Sequence, residues 1–446
     1  MQTAKLLKLN PQFSTVARLI FLSLWGLLSF NCCCDKKEPP VWTQTLENPE
    51  VSGAIYDVIR TETGFFAVGC DGTPRPCTAF TPVYAAVWTS EDGIEWTRVP
   101  HDDDVFGNRV SAIFTIVAGG PGYVAGGYED WQGAPIWTSE DGETWERAAT
   151  LGPEVTSILG TTDNNEVNDI ILTTDGELIA VGRKFDGGNA VGAIWHCTGG
   201  EATAWTEVFT QPFDPAPGSE TPRRRYSSIK AITETNSYIM SEGGPKYIAV
   251  GYYYSSDRRR KAAIWVSDDG LNWEMLPPYD PVFVITDEPY DGNAGDQELN
   301  GVIVWNNAVY VAGKDSEYDS LRTKSMIWRS VDLGETWGRL TDPPFEEQPD
   351  FAVRHSIYGL INTNAFGFAA LAVGTVGEDD NLDGEVWRYA TTGHAYRYNY
   401  PVFKGEGAQG VLDAVGTNID GKTVIIAVGY DNGSPAIWRL ARPEEE

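Results

Sequence analysis

Apolar residues in this chain come in short, strand-length runs separated by Gly, Asp, Asn and Pro. That pattern predicts β-strands joined by tight turns. The runs recur in a fixed order. AAVWTSEDGIEWTRV, starting at Ala85, returns as APIWTSEDGETWERA at Ala134, AAIWVSDDGLNWEML at Ala262 and SMIWRSVDLGETWGRL at Ser325. GAIWHCTGGEATAWTEV, GEVWRYATTGHAYRYNY and PAIWRL are weaker copies. The marker tryptophans Trp88, Trp137, Trp195, Trp265, Trp328, Trp387 and Trp438 stand about 50 to 70 residues apart. Before each marker lies a second run: FFAVG, YVAGG, LIAVG, YIAVG, VYVAG, LAVG and IIAVG. A third run, as in VSGAI, VNDII, YSSIK and LNGVI, lies before that. Each unit therefore holds four strands, and there are seven units. The fold class is all-β: a seven-bladed β-propeller of four-stranded antiparallel blades.

The seventh unit ends near Trp438-Arg439-Leu440 without a fourth strand. The segment PPVWTQTLE near the other end matches fourth strands such as GIEWTRV, with Trp42 at the marker position. The N-terminal strand is expected to close the last blade, removing an open sheet edge. Of 16 tryptophans, only Trp25, Trp131 and Trp305 fall outside the repeat.

Residues 1–34 read as a signal peptide: Lys5, Lys8 and Arg18 precede LIFLSLWGLLSF, and Cys32-Cys33-Cys34 follow. The apolar run is short for a membrane span. Its junction with Cys32 resembles a bacterial lipoprotein signal, which implies lipidation of Cys32, a tether over residues 35–40 and a propeller over 41–446. The expectation is an exported, lipid-anchored envelope protein that meets the membrane only through its anchor. Cys70 and Cys77 flank DGTPRP, a turn-rich segment suited to a local disulfide in an oxidising compartment. A formal net charge of −30 disfavours nucleic acid as a partner.

SVDLGETW, with Ser330, Asp332, Gly334, Thr336 and Trp337, resembles the Asp-box, or BNR repeat, of sialidase-like propellers. TSEDGETW and VSDDGLNW are relaxed versions. Physically the motif is a hairpin: carboxylate and hydroxyl cap backbone N–H groups, Gly takes positive φ, and Trp packs on the blade. The resemblance implies an arginine triad for an anionic ligand. The Phe/Tyr-Arg-Ile-Pro motif of those enzymes is absent.

In such blades the links between strands one and two, and three and four, share one face. These links are short here (TETG, AGGPG, TTDGE, NNA), and the Asp-boxes lie among them. The opposite face carries the long segments, including TQPFDPAPGSETPRRR and PYDPVFVITDEPYDGNAGDQE. Loops of that kind are where function sits. Aligned by the start of the inner strand, the units show Glu50, Arg109, Glu166, Arg225, Glu298 and Arg354, then Gly410. This alternation reads either as a ring of ion pairs or as Arg109, Arg225 and Arg354 converging on an anion, with Glu166 and Glu298 between them. Trp131, on the long-loop face, is either a sugar-stacking platform or a partly buried loop residue. Arg223-Arg224-Arg225 and Arg258-Arg259-Arg260-Lys261 form a basic island in two loops of the fourth blade. Asp379, Asn381, Asp383 and Gly384 match the start of a Ca²⁺ loop. No other cofactor motif appears, and the four histidines lack zinc or triad spacing.

The expected function is non-enzymatic binding of a protein or glycan partner on the long-loop face by a monomeric propeller. The alternative is a sialidase-like glycoside hydrolase acting on an anionic glycan. Photosystem-assembly propellers share the repeat as well.

Overall fold

The structure is a computed structural model. It describes residues 39–47, 51–72, 83–107, 110–153, 165–186, 189–199, 201–210, 227–235, 244–254, 259–276, 294–317, 323–332, 334–340, 354–363, 366, 368–378, 381–390, 395–398, 400–404, 407–419 and 421–443. Residues Val41–Ala441 form one compact unit.

That unit is a seven-bladed propeller of four-stranded antiparallel blades. The inner strands of blades 1 to 7 are Ser52–Arg60, Ser111–Gly119, Glu166–Leu172, Ser228–Glu234, Ala294–Trp305, Arg354–Asn362 and Gln409–Ile419. Blades 5 and 6 also touch through one parallel pair, Thr323 with Arg354. The N-terminal strand Val41–Glu47 pairs antiparallel with Ser434–Ala441 and completes blade 7, as the repeat predicts. Its register matches as well. Trp42 sits opposite Leu440, two residues beyond Trp438, just as Trp205 sits opposite Cys197, two beyond Trp195. Trp42 is buried edge-on against Phe403, with ring centroids 5.2 Å apart.

The core lies between blades. One cluster joins Ile55, Val58 and Trp88 of blade 1 to Ile426 and Val428 of blade 7. Another joins Phe66 and Val87 of blade 1 to Ile113 and Trp137 of blade 2. Each blade thus buries both faces against its neighbours, which explains why second strands are continuous apolar runs rather than alternating ones.

The hairpins between third and fourth strands in blades 1, 2, 4 and 5 share one set of bonds. In blade 2 the Asp141 Oδ1 accepts the N–H groups of Glu143 and Thr144 at 2.8 and 2.7 Å, and Ser139 Oγ accepts that of Gly142 at 2.8 Å. Trp145 Nε1 donates back to the Gly142 carbonyl at 3.0 Å. Asp92, Asp269 and Asp332 repeat the pattern. The Asn272 N–H holds Asp269 at a pKa of about 2, with the Asn272 side chain and the Leu271 N–H assisting.

Every inner strand carries a β-bulge at the same place, so that the pairing register skips Tyr56, Phe114, Asn168, Lys230, Asn300, Tyr358 and Leu412. The Ala-Val-Gly signature accounts for it. A Cβ on Gly69, Gly127, Gly182, Gly251, Gly313, Gly374 or Gly429 would come within 1.9 to 2.1 Å of an inner-strand carbonyl oxygen just before the bulge. Only glycine lets the second strand approach so closely.

The residue after each bulge turns toward the next blade. Asp413 Oδ2 accepts the Val58 N–H at 3.1 Å, joining blade 7 to blade 1. Asp57 Oδ2 accepts the Ile116 N–H at 2.7 Å, Thr115 Oγ1 that of Ile170 at 3.3 Å, and Asp169 Oδ2 that of Ile232 at 2.9 Å. In blades 4, 5 and 6 the same slot holds Ala231, Gly301 and Gly359.

Candidate functional site

The bulges set seven side chains out of the pairing register at one level of the inner strands. Their slots are half-buried or, at Tyr358, exposed, in contrast to the buried residues before each bulge. The rim they form has two characters. Blades 6, 7, 1 and 2 contribute Tyr358, Leu412, Tyr56 and Phe114. Blades 3, 4 and 5 contribute Asn168, Lys230 and Asn300. On the aromatic side Tyr56 meets Phe114 edge-on at 5.0 Å, and Phe114 stacks on Tyr128 at 5.4 Å.

The polar side is cross-linked. Asn168 Nδ2 donates to the Ile229 carbonyl at 2.8 Å and to Ser228 Oγ at 3.0 Å. Asn300 Nδ2 donates to the Ile357 carbonyl at 2.8 Å. Lys230 Nζ lies 3.4 Å from both Glu166 Oε1 and Asn168 Oδ1. Behind this arc, Glu166 also pairs with Arg183 at 3.0 Å. Glu298 pairs with Arg260 and with Lys314, the latter at 3.2 Å. Burial opposes ionisation of Glu166, but the Lys230 and Arg183 charges outweigh it and hold the carboxyl below its ordinary range. Glu298 is held down the same way, burial being outweighed by Lys314 and Arg260. Both are carboxylates fixed between two cations, which is a platform rather than a proton donor.

The pairing register revises the alternating Glu/Arg ring. Measured from the second-strand glycine, Glu166 and Glu298 are equivalent to Ala54, Ala112, Ser228, Ser356 and Gly410. Arg354 opens the inner strand of blade 6 two residues earlier, opposite Gly377. Glu50, Arg109 and Arg225 lie outside the described residues. The approaches to the inner strands differ in length, so aligning on the strand start mixes levels. The cations that face Glu166 and Glu298 are Lys230, Arg183, Arg260 and Lys314; of these the sequence singled out only Arg260, as part of the basic island. Counting from each glycine finds two of them, because Arg183 and Lys314 directly follow Gly182 and Gly313.

Trp131 lies between the second and third strands of blade 2, on the long-loop face, 51% exposed and with φ at 65°. A bulky residue in the left-handed region is strained. The basic island is not all loop: Arg260 and Lys261 begin the third strand of blade 4, Arg260 serves Glu298, and Lys261 is buried. The Ca²⁺ motif runs as a strand, Asn381–Ala390, not as a loop. Asp383 Oδ2 lies 3.8 Å from Lys404 Nζ, so a cation already faces it. Among the described residues no cluster of metal-binding side chains forms; Asp379 lies outside them. Cys70 is buried in the second strand of blade 1, while Cys77 and Cys32 also lie outside. Blade 6 buries a pair that no sequence spacing announces, His355 Nδ1 at 3.6 Å from Glu385 Oε2.

On the hairpin face, the ends of the inner strands of blades 7, 1 and 2 line an open cavity of about 680 Å³, with Arg60, Thr61, Tyr123, Glu140, Thr417 and Asn418 in its wall.

No family model matches this chain, and no curated protein does. Among solved structures, 235 chains are similar. A polysaccharide lyase, Uly1, aligns with a TM-score of 0.47 at 10% identity over 87% of this chain and 89% of that one. An ancestral GH74 enzyme aligns at 0.49 and 12% identity over 91% of this chain, which spans 51% of that enzyme. Trypanosoma rangeli sialidase in complex with sialic acid aligns at 0.40 and 12% identity over 91% of this chain, which spans 59% of it. The likeness to these glycoside hydrolase and lyase propellers is one of fold.

Proposed function

We propose that this protein is a non-enzymatic binding propeller, tethered to the bacterial envelope through a lipid on Cys32, that holds a protein or glycan partner on its long-loop face. The observation that carries this reading is the rim built by the seven bulges. It sets the aromatic side chains Tyr56, Phe114 and Tyr358 across from Asn168, Lys230 and Asn300. Apolar stacking on one side and amide or ammonium donors on the other suit a ligand with a hydrocarbon face and polar edges. The exposed Trp131 extends the aromatic surface outward. The acids around the rim support binding over hydrolysis. Glu166 and Glu298 are held ionised by cations, and Asp57, Asp169 and Asp413 accept backbone N–H groups of neighbouring blades.

A glycan array and an envelope pull-down with the purified chain test this. Binding that weakens about tenfold or more in Tyr358→Ala and Trp131→Ala, with unchanged melting, supports the reading. Turnover of sialosides or related glycosides, lost in Arg354→Ala, replaces it with the glycosidase reading. Metabolic labelling with a fatty-acid analogue, lost in Cys32→Ser, tests the anchor.

A further inference from the structure

The ring closes between blades 7 and 1, where two equivalent post-bulge carboxyls come together. Asp413 Oδ2 takes the Val58 N–H at 3.1 Å, and the adjacent Asp57 takes the Ile116 N–H at 2.7 Å. Val58 directly follows Asp57, so the Asp413 carboxyl and the Asp57 carboxyl are brought side by side at this junction. A carboxylate has no hydrogen to give, so two carboxyls bond directly only when one is protonated. Among the described residues, the groups that act on the pair are donors rather than counter-charges. The groups facing the pair are the N–H groups of Val58, Ile116 and Ala414 and the hydroxyl of Thr115, with the Asp169 carboxyl beyond. Of the cations on these inner strands, Lys230 is turned to Glu166 and Asn168, and Arg60 lies over the Phe65 ring at 4.9 Å.

We propose that the first and last blades are clasped at the axis by one proton shared between Asp57 and Asp413, so that closure of the ring is tighter in mild acid than in mild base. The proton sits on an oxygen of one carboxyl and is donated to an oxygen of the other. When it leaves to water, two carboxylates face each other between the blades, and their repulsion loosens the junction.

The titration of these groups agrees with the geometry. Burial raises Asp413 well above the ordinary carboxylate range, and the nearby Asp57 raises it further. Burial also raises Asp57. Each is only partly exposed, and desolvation is the main cause of its shift. In the unfolded chain both ionise near pH 4. The folded protein therefore holds more protons than the unfolded one above that pH, and stability falls as pH rises toward the folded value. Asp169, pushed up to about 7 mainly by burial, acts in the same direction. The pair is therefore read from the difference between variants.

The test is thermal and urea unfolding of the full chain between about pH 5 and pH 8, beside Asp413→Asn. The amide donates an N–H where the shared proton was and cannot ionise. The expected result is a wild-type chain that gains stability on acidification and a variant that has lost one proton's worth of that slope, about tenfold in the folding constant per pH unit. The variant should also be the more stable of the two in mild base. A variant with the wild-type slope overturns the proposal. Should Asp413→Asn not fold, Asp57→Asn supplies the same comparison. Infrared spectra of the two chains give a second readout. A protonated-carboxyl band that is present in mild acid and weaker in Asp413→Asn than in the wild type is expected, and equal bands in the two chains overturn the proposal.

Discussion

Two arcs of this propeller hold the same β-bulge in different ways. In blades 7, 1, 2 and 3 the residue after the bulge is Asp413, Asp57, Thr115 and Asp169, and each side chain accepts a backbone N–H of the following blade. In blades 5 and 6 the slot is Gly301 and Gly359, and the next strand stands where a side chain would go. A Cβ on Gly301 would lie 3.1 Å from the Leu360 nitrogen, and one on Gly359 would lie 2.9 Å from the Leu412 carbonyl oxygen. Blade 4 has only Ala231. One repeat thus solves the same junction either by a polar bridge or by direct backbone approach. The bridged arc gains directional bonds but places acids in a poorly hydrated setting, which makes it sensitive to pH. The glycine arc has no titrating group in that slot.

The largest effect should fall on what the two arcs share. Gly127→Ala in the bridged arc and Gly374→Ala in the glycine arc each drive a methyl into a backbone carbonyl 1.9 Å away. Each should cost about 3 kcal/mol in urea unfolding. A large difference between them would mean that the bulge is not equivalent around the ring. Next comes the bridge itself. Asp169→Ala leaves the Ile232 N–H without its acceptor and should cost about 2 kcal/mol in mild acid. Asn300→Ala, which removes a 2.8 Å bond in the glycine arc, should cost about 1 kcal/mol. In amide exchange, Ile232 should lose protection in the first variant and keep it in the second.

Two smaller tests sharpen the contrast. Ala231→Thr offers an acceptor to the Val302 N–H of blade 5 and should gain about 0.5 kcal/mol, with slower exchange at Val302. The smallest effect belongs to the hairpins. The contribution of Asp269, whose pKa is about 2, is fully present above the ordinary carboxylate range and is lost as pH falls through that value. Asp269→Asn keeps one acceptor oxygen but loses the ionised carboxylate that accepts from Asn272 Nδ2, so it should lower the neutral-pH melting temperature slightly and remove the acid-side loss.

The blades, their number and the N-terminal closing strand were legible in the sequence because the marker tryptophans and Ala-Val-Gly runs fill slots with one physical solution. A large ring must pack between blades, and a glycine must stand against a carbonyl. The hairpins were legible for the same reason, since the Asp141 and Ser139 bonds need those side chains at that spacing. The rim was not. The bulged slot accepts Tyr, Phe, Asn, Lys and Leu alike, so no residue type marks it. The cations serving Glu166 and Glu298 come from neighbouring strands and blades rather than from the preceding loops. The Asp57 and Asp413 pair joins residues from opposite ends of the chain, a proximity that only ring closure creates.

The closing strand has a consequence for the order of folding. Thr43 donates to the Arg439 carbonyl across 396 positions of sequence. Contacts of such range form slowly, because a long loop must be closed before they are rewarded. Of the described strands, the one synthesised first is therefore the last to find its place. Until the final blade exists, Trp42 and the open edge of Ser434–Ala441 have no permanent neighbour. During that interval the growing chain is most open to pairing with another copy of itself. Synthesis from the N-terminus thus sets the moment of completion as well as the architecture.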